Sequence, residues 1–238
     1  VAALCPPGGR VIFTGTATEA LNMALLGNEQ ARAGRAAAVS AIEHSAVFDT
    51  AERLKGGRHV LPMGEDGLLR ADALPDGTGV IAVMQVNNEI GTIQPMVEVA
   101  RLAKQAGAFL VCDAVQAAGK MPVAMADAVA ISAHKLHGPK GIGALWLRQG
   151  VELDPIITGG GQEDGLRSGT LSPALIAGFG AAAKLAAERM DADAAHVESL
   201  WDRALELFQG WTLNGSAEAR WHGNLSLRKD GIDVSRLM

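Results

Sequence analysis

Ala130-Ile131-Ser132-Ala133-His134-Lys135-Leu136-His137-Gly138-Pro139-Lys140-Gly141-Ile142-Gly143 is the stretch around which the chain is arranged. The apolar run Ala128 to Ile131 reads as a buried strand ending at Ser132, and it delivers a hydroxyl, an imidazole and an amine within four residues. Gly138-Pro139 and Gly141-Ile142-Gly143 then turn the chain, and a second apolar run, Ile142 to Leu147, returns it to a sheet. Lys135 is therefore expected between two strands. At the rim of an apolar sheet desolvation disfavours the ammonium, and a neutral amine can form an imine with a carbonyl. A solvated loop lysine is the ordinary alternative, and only the company of Lys135 separates the two.

On the N-terminal side, Val11 to Thr14 is a short strand followed by Gly15-Thr16-Ala17-Thr18-Glu19 and a helical Ala20 to Leu26. Such a junction offers backbone N–H groups and threonine hydroxyls to a phosphate, or simply an N-cap at Thr16 or Thr18. Ala36 to Ser40 is a second strand, with His44 leading into a helix from Ser45 to Lys55, and Arg58 to Leu61 is a third. Asp72 to Leu74 reads as a helical turn. Gly79 to Val86 is the clearest strand and runs into Asn87-Asn88. Pro95 opens a helix to Ala106, stopped by Gly107. Ala108 to Cys112 is a strand ending in Asp113-Ala114-Val115-Gln116. Beyond the Lys135 stretch come a glycine-rich loop from Thr158 to Thr170 and a helical Ser172 to Phe208, which reads as one helix or as two divided near Asp191 to Asp193. Trp211 to Leu213 and Asn224 to Leu227 are short strand candidates.

Composition bounds the function. With 238 residues, 48% of them hydrophobic and 20% charged, the chain can bury a sizeable core. A formal net charge of −5, with no basic run or aromatic platform, excludes nucleic acid or an anionic membrane as the main partner. No apolar run is long enough to cross a bilayer. Cys5 and Cys112 form neither a disulfide framework nor a CxxC pair, which points to a reducing, cytoplasmic compartment. His134 and His137 lack a third metal ligand nearby, so no metal is expected. The abrupt Val1-Ala2-Ala3-Leu4 and Arg236-Leu237-Met238 ends read as those of a fragment of a longer protein.

Alternating strands and helices imply an α/β three-layer sandwich with a mostly parallel central sheet, in which ligands bind beyond the carboxyl ends of the strands. Thr18, His44, Asn88, Asp113, Gln116, Ser132, His134 and Lys135 all follow predicted strand ends, on five different strands. Pyridoxal phosphate chemistry calls for such a set: a lysine for the aldehyde, an acid for the pyridine nitrogen and donors for the phosphate. Lys135, Asp113 and the Thr18, Ser132 and His134 group fit these roles. Asn88 or Gln116 could hold the phenolic oxygen, and His44 could stack on the ring or shuttle protons.

Phe13-Thr14-Gly15-Thr16-Ala17-Thr18-Glu19, Ile42-Glu43-His44-Ser45-Ala46-Val47, Val86-Asn87-Asn88-Glu89-Ile90-Gly91, Asp113-Ala114-Val115-Gln116, Ser132-Ala133-His134-Lys135 with Gly138-Pro139-Lys140-Gly141, and Gly159-Gly160-Gly161-Gln162-Glu163 with Arg167-Ser168-Gly169-Thr170 occur in one order. That series resembles the cysteine desulfurases of the class V aminotransferase family, over nearly the whole chain. The resemblance implies a fold-type-I large domain over residues 1–210, the start of a small domain at 211–238, and a homodimer. It implies Lys135, His44 and Asp113 as catalytic residues. Cofactor contacts would come from Ala17, Thr18, His44, Asn88, Asp113, Gln116, Ser132, His134 and Lys135, with Thr170 reaching the phosphate of the neighbouring subunit. The implied reaction takes L-cysteine to L-alanine and passes sulfur to an enzyme cysteine, for a sulfur acceptor or iron-sulfur scaffold protein. Gly15-Thr16-Ala17 replaces the family's Ser-Gly-Ala, and Asp164 stands where Arg is frequent. The family's N-terminal Asp-Asn-Ala-Ala-Thr-like segment, its loop cysteine and its carboxylate-binding arginine have no counterpart in this sequence. A catalytically incomplete pyridoxal-phosphate-binding protein, or another class V lyase or aminotransferase, is therefore the alternative.

Overall fold

A computed structural model describes residues 1–232; the expectations that fall on 233–238, including the end of the small domain, lie outside the described residues. Among the described residues, seven strands form the main sheet: β1 (Gly9–Thr14), β2 (Ala36–Ser40), β3 (Arg58–Leu61), β4 (Thr78–Met84), β5 (Phe109–Asp113), β6 (Ala128–Ser132) and β7 (Gly143–Arg148). Their order is β1-β7-β6-β5-β4-β2-β3. β7 is antiparallel to both neighbours, and the other ladders are parallel. Because β7 runs back between β1 and β6, those two are parallel to each other, and the first six strands all point their carboxyl ends at one rim.

The strands are apolar in continuous runs, as parallel strands buried on both faces must be. Val80, Ala82, Val111, Ala128, Ala130 and Leu145 pack on one face, beneath α1 (Ala17–Gly27) and α3 (Ser45–Glu52). Ile81, Val83, Cys112, Val129, Ile131 and Trp146 pack on the other, beneath α4 (Met96–Ala106) and α5 (Pro173–Leu207). A short α2 (Glu29–Arg32) follows α1. α4 buries Met96, Val99, Leu102 and Ala103 on a single stripe and ends at Gly107, whose φ of 60° is the left-handed conformation that glycine adopts without a Cβ penalty.

Several sequence expectations are corrected. Asp72 to Leu74 forms bends and no helical turn, with the chain already leading to Pro75. β4 stops at Met84, not Val86. Gln85 turns its amide to the Pro122 carbonyl and the Ala124 N–H, and Val86 makes an isolated bridge to Ile93. The helix after His44 ends at Glu52 rather than Lys55. Of the one-helix and two-helix readings of the last long stretch the first holds: α5 is unbroken across Asp191 to Asp193, where Arg189 pairs with Asp193 one turn on at 2.8 Å. Thr212–Leu213 (β8) and Leu227–Arg228 (β9) pair antiparallel, so the last strand begins three residues later than expected. The segment between them is tied to the sheet domain: Ile93 donates to the Ala219 carbonyl at 2.8 Å, and Trp221 donates to the Gly91 carbonyl at 2.9 Å. Among the described residues no helix is long and apolar enough to cross a membrane.

Candidate active site

The rim where six strands end opens into a cavity of about 230 Å³. It gathers Ala17, Thr18, His44, Asn88, Asp113, Gln116, Ser132, His134 and Lys135, every residue expected at the site except Thr170. Thr170 is exposed on the loop before α5 and lies apart from this cavity. Thr16, Leu21, Ala46, Met84, Val86 and Val115 complete the wall.

Strand alternation sorts the side chains. On β5, Val111 faces α1 and Cys112 faces α4 and α5, which returns Asp113 to the α1 face. On β6 the same count puts Ser132 on the α1 face, beside the start of that helix. Lys135 follows on a single turn of 3₁₀ helix, Ala133–Leu136, closed by His137 in the left-handed conformation at φ 61°. Gly143 at the start of β7 is what lets the sheet touch α1. A Cβ there would lie 2.6 Å from the Thr16 carbonyl carbon and 2.7 Å from the Ala17 nitrogen.

The α1 N-terminus is prepared for an anion. Thr16, not Thr18, is the cap: its Oγ1 accepts the Glu19 N–H at 3.2 Å, while Glu19 Oε2 accepts the Gly15 N–H at 2.7 Å. Ala20 donates to the Thr16 carbonyl. Ala17 and Thr18, both on the cavity wall, thus present N–H groups that no other described residue takes, together with the Thr18 hydroxyl. Arg167 bonds Glu19 through Nε at 2.6 Å and anchors the glycine-rich loop to this turn. The Thr-x-x-Glu spacing of a capping box was visible in the sequence, whereas the distant Arg167 partner was not.

Across the cavity, Asp113 is buried and accepts the Val115 N–H at 2.9 Å. Burial raises its pKa, against the lowering effects of that N–H and of nearby His44. His44 caps α3, its Nδ1 accepting the Ala46 N–H at 3.0 Å, so a neutral ring carries its proton on Nε2. Ser132 Oγ and His134 Nδ1 lie 2.9 Å apart. Desolvation, then Lys135 and Lys140, lower the His134 pKa.

Two residues that shape the site were not anticipated. Glu43, adjacent to His44, accepts from Ser40 Oγ at 2.6 Å and from the Met84 N–H at 2.9 Å, lacing the end of β2 to the end of β4. Asn87 is buried, donates to the Ile42 carbonyl at 3.0 Å and receives the Glu89 and Ile90 N–H groups, which fixes the turn carrying Asn88. Neither has a signal in the linear sequence beyond its neighbour.

An amine, a buried acid and two orphan N–H groups with hydroxyls suit the aldehyde, the ring nitrogen and the phosphate of one cofactor. A three-layer sandwich with that set on its rim is the large domain of a fold-type-I pyridoxal-phosphate-dependent enzyme. The chain belongs to the aminotransferase class-V family, whose sequence profile matches residues 6–236. It is 42% identical to "Cysteine desulfurase, mitochondrial" of Eremothecium gossypii, over 90% of this chain and 47% of that one. A solved NifS-like protein superposes with a TM-score of 0.87 at 33% identity, over 95% of this chain and 67% of that chain. SspA, solved in complex with cysteine, gives 0.78 at 30% identity, over 95% and 68%. The chain spans about half the length of the curated relatives it matches.

Proposed function

We propose that this chain is the cofactor-binding part of a pyridoxal-phosphate-dependent cysteine desulfurase, which converts L-cysteine to L-alanine and passes the sulfur to an enzyme cysteine. The observation that carries the reading is the single cavity on which the residues expected from five strands converge. When bound, the cofactor supplies an electron sink for bonds at the substrate α-carbon. Lys135 Nζ would hold its aldehyde carbon, and Asp113 would keep the proton on its ring nitrogen. The Ala17 and Thr18 N–H groups, with Thr18, Ser132 and His134, would bind the phosphate. His44 would stack on the ring, and Asn88 and Gln116 would contact it.

In the same reading residues 1–210 form the large domain and 211–238 begin a small one, the protein is a homodimer, and Thr170 serves the partner subunit's phosphate site. The names of the Eremothecium relative and of the SspA complex support cysteine as substrate. A sulfur acceptor or iron-sulfur scaffold protein is the partner such a reaction needs. Two unpaired cysteines support a reducing compartment. The cytoplasm is the one we propose, with a mitochondrial location, as in the Eremothecium relative's name, the alternative.

A second reading, a protein that binds pyridoxal phosphate without completing desulfuration by itself, has its own support. Cys112 is fully buried on the opposite face of the sheet from Asp113, and neither it nor Cys5 lines the cavity. Incubation with pyridoxal phosphate, borohydride reduction and peptide mapping test the shared part of both readings. Label at Lys135 is expected, and label confined to Lys120 or Lys140 would overturn it. Joint assay of alanine and sulfide from cysteine separates the two.

A further inference from the structure

A half-buried lysine outside the expected set, Lys120, stands directly behind the cavity wall. Its Nζ donates to Gln116 Oε1 at 2.8 Å. An ammonium can only donate, so the amide atom facing it has to be the oxygen. Gln116 lines the cavity, and among the described residues its amide has no other hydrogen-bond partner. We propose that Lys120 is a positioning residue for the cofactor: it holds the Gln116 amide with its oxygen outward and its NH₂ group turned into the cavity, toward an acceptor oxygen on the pyridine ring. This rests on the function proposed above, which supplies the ligand.

Shape alone cannot choose between the two orientations of an amide, since O and NH₂ are nearly the same size. A donor-only neighbour makes the choice. With Lys120 in place, Gln116 offers the cavity two N–H donors. Without it, the amide can rotate and turn a carbonyl toward an electron-rich ring oxygen, which repels it.

Lys120 is itself fixed rather than free to swing. It closes a turn in which Ala118 donates to the Ala114 carbonyl at 2.9 Å and Lys120 donates to the Ala117 carbonyl at 3.0 Å. The preceding Gly119, at φ +73°, presses that turn against its neighbours. A Cβ there would lie 2.7 Å from Leu136 Cδ2 and 2.8 Å from Ala186 Cβ. Lys120 also borders a second cavity, of about 540 Å³, which touches Lys135. Among the described residues the one carboxylate on the wall of that cavity, Asp193, is paired with Arg189 at 2.8 Å. Among the described residues Lys120 has no ion-pair partner, and Gln116 is its side-chain acceptor. Burial and the charge of Lys135 bring its pKa down to about 8, as befits a desolvated lysine rather than a surface one. The ammonium, which has no lone pair, is the form that fixes the amide orientation; a neutral amine could also accept from the amide NH₂, so the orienting effect belongs to pH below about 8.

The test has one arm without cofactor and one with it. In side-chain amide NMR spectra of the chain alone, with the Gln116 signal assigned through Gln116→Glu, Lys120→Met should shift that signal and Lys120→Arg should keep it near its original place. In absorbance titrations with pyridoxal phosphate, Lys120→Met should weaken binding about tenfold and Lys120→Arg should restore it to within about twofold, the scale of one oriented hydrogen bond. Melting curves establish that each variant is folded, and Lys120→Gln replaces Lys120→Met should the latter not fold, with the same shift expected. An unmoved Gln116 signal in the folded Lys120 variant overturns the inference, as does unchanged affinity. Failure of the unsubstituted chain to take up pyridoxal phosphate at Lys135 refutes instead the function on which it rests.

Discussion

Chemistry at this rim is divided among single residues according to what surrounds each. Asp113 is held under α1, where burial raises its pKa and a backbone N–H and His44 oppose that rise. Asp113→Asn preserves the shape and removes the charge. We expect cofactor affinity to change little, while cofactor-dependent turnover of cysteine in a full-length enzyme falls about 10²-fold or more, as loss of a positioned proton-holding group does. Parallel measurement of cofactor uptake and alanine formation checks this, and an unchanged turnover would place the role elsewhere. Lys135→Ala is expected to abolish borohydride-trapped label altogether. The two substitutions thus separate attachment of the cofactor from its activation.

Strand ends act as elements through the bonds that lace them together. Glu43 ties β2 to β4, and its Oε2 is buried with no hydrogen-bond partner among the described residues. Desolvation pushes its pKa from an ordinary 4.5 up to about 8, with Asp113 adding to the rise. A carboxyl whose folded-state pKa is raised holds its proton more tightly folded than unfolded. The stability it contributes is complete below about 4.5 and is lost as pH climbs through about 8. The melting temperature should therefore fall across that window, and Glu43→Gln, which cannot ionise, should flatten the fall; calorimetry at several pH values reads this directly. Packing of β7 on α1 allows an equally local test. Gly143→Ala would drive a methyl into the backbone of Thr16 and Ala17, which cannot yield as a side-chain end can. A destabilisation of about 2–3 kcal/mol in urea unfolding is expected, with loss of cofactor affinity because the phosphate-binding turn must shift.

At the scale of the molecule, the two faces of the sheet have been given different work. The α1 face ends in the cavity of the candidate site, and Cys112 is packed into the opposite face, beneath α4 and α5. Burial and the nearby carboxylates hold the Cys112 thiol well above the usual range, and desolvation pushes Cys5 up to about 11. Neither is a thiolate near pH 7, and neither reaches the cavity. The 238-residue chain loaded with pyridoxal phosphate should accordingly release no catalytic sulfide from cysteine, and Cys5→Ser and Cys112→Ser should alter nothing. Sustained sulfide and stoichiometric alanine, abolished by either substitution, would overturn this. α5 runs about 52 Å at 1.5 Å per residue, and along it Leu185, Leu200, Leu205 and Leu207 are exposed. The alternative break at Asp191 to Asp193 rested on two polar, weakly helical residues, Asp191 and Asp193. It is absent because one-turn ion pairs and the strong helix formers around them outweigh that preference.

By itself the sequence determined the layer architecture and which residues would line the candidate cavity, because both are written locally. Buried parallel strands are continuous apolar runs, and the residues just past their ends must lie on a common rim, so Lys135, Asp113 and His44 could be placed together without a contact map. Tertiary structure alone decided what crosses between elements. It decided that Glu43 would lace β2 to β4, that Arg167 would reach Glu19 from 148 positions away, that Gly143 would admit α1, and that Lys120 would stand behind Gln116. Local propensity and periodicity report on a residue and its neighbours in the chain. A hydrogen bond between two strand ends depends on sheet order and register, which no window of sequence contains.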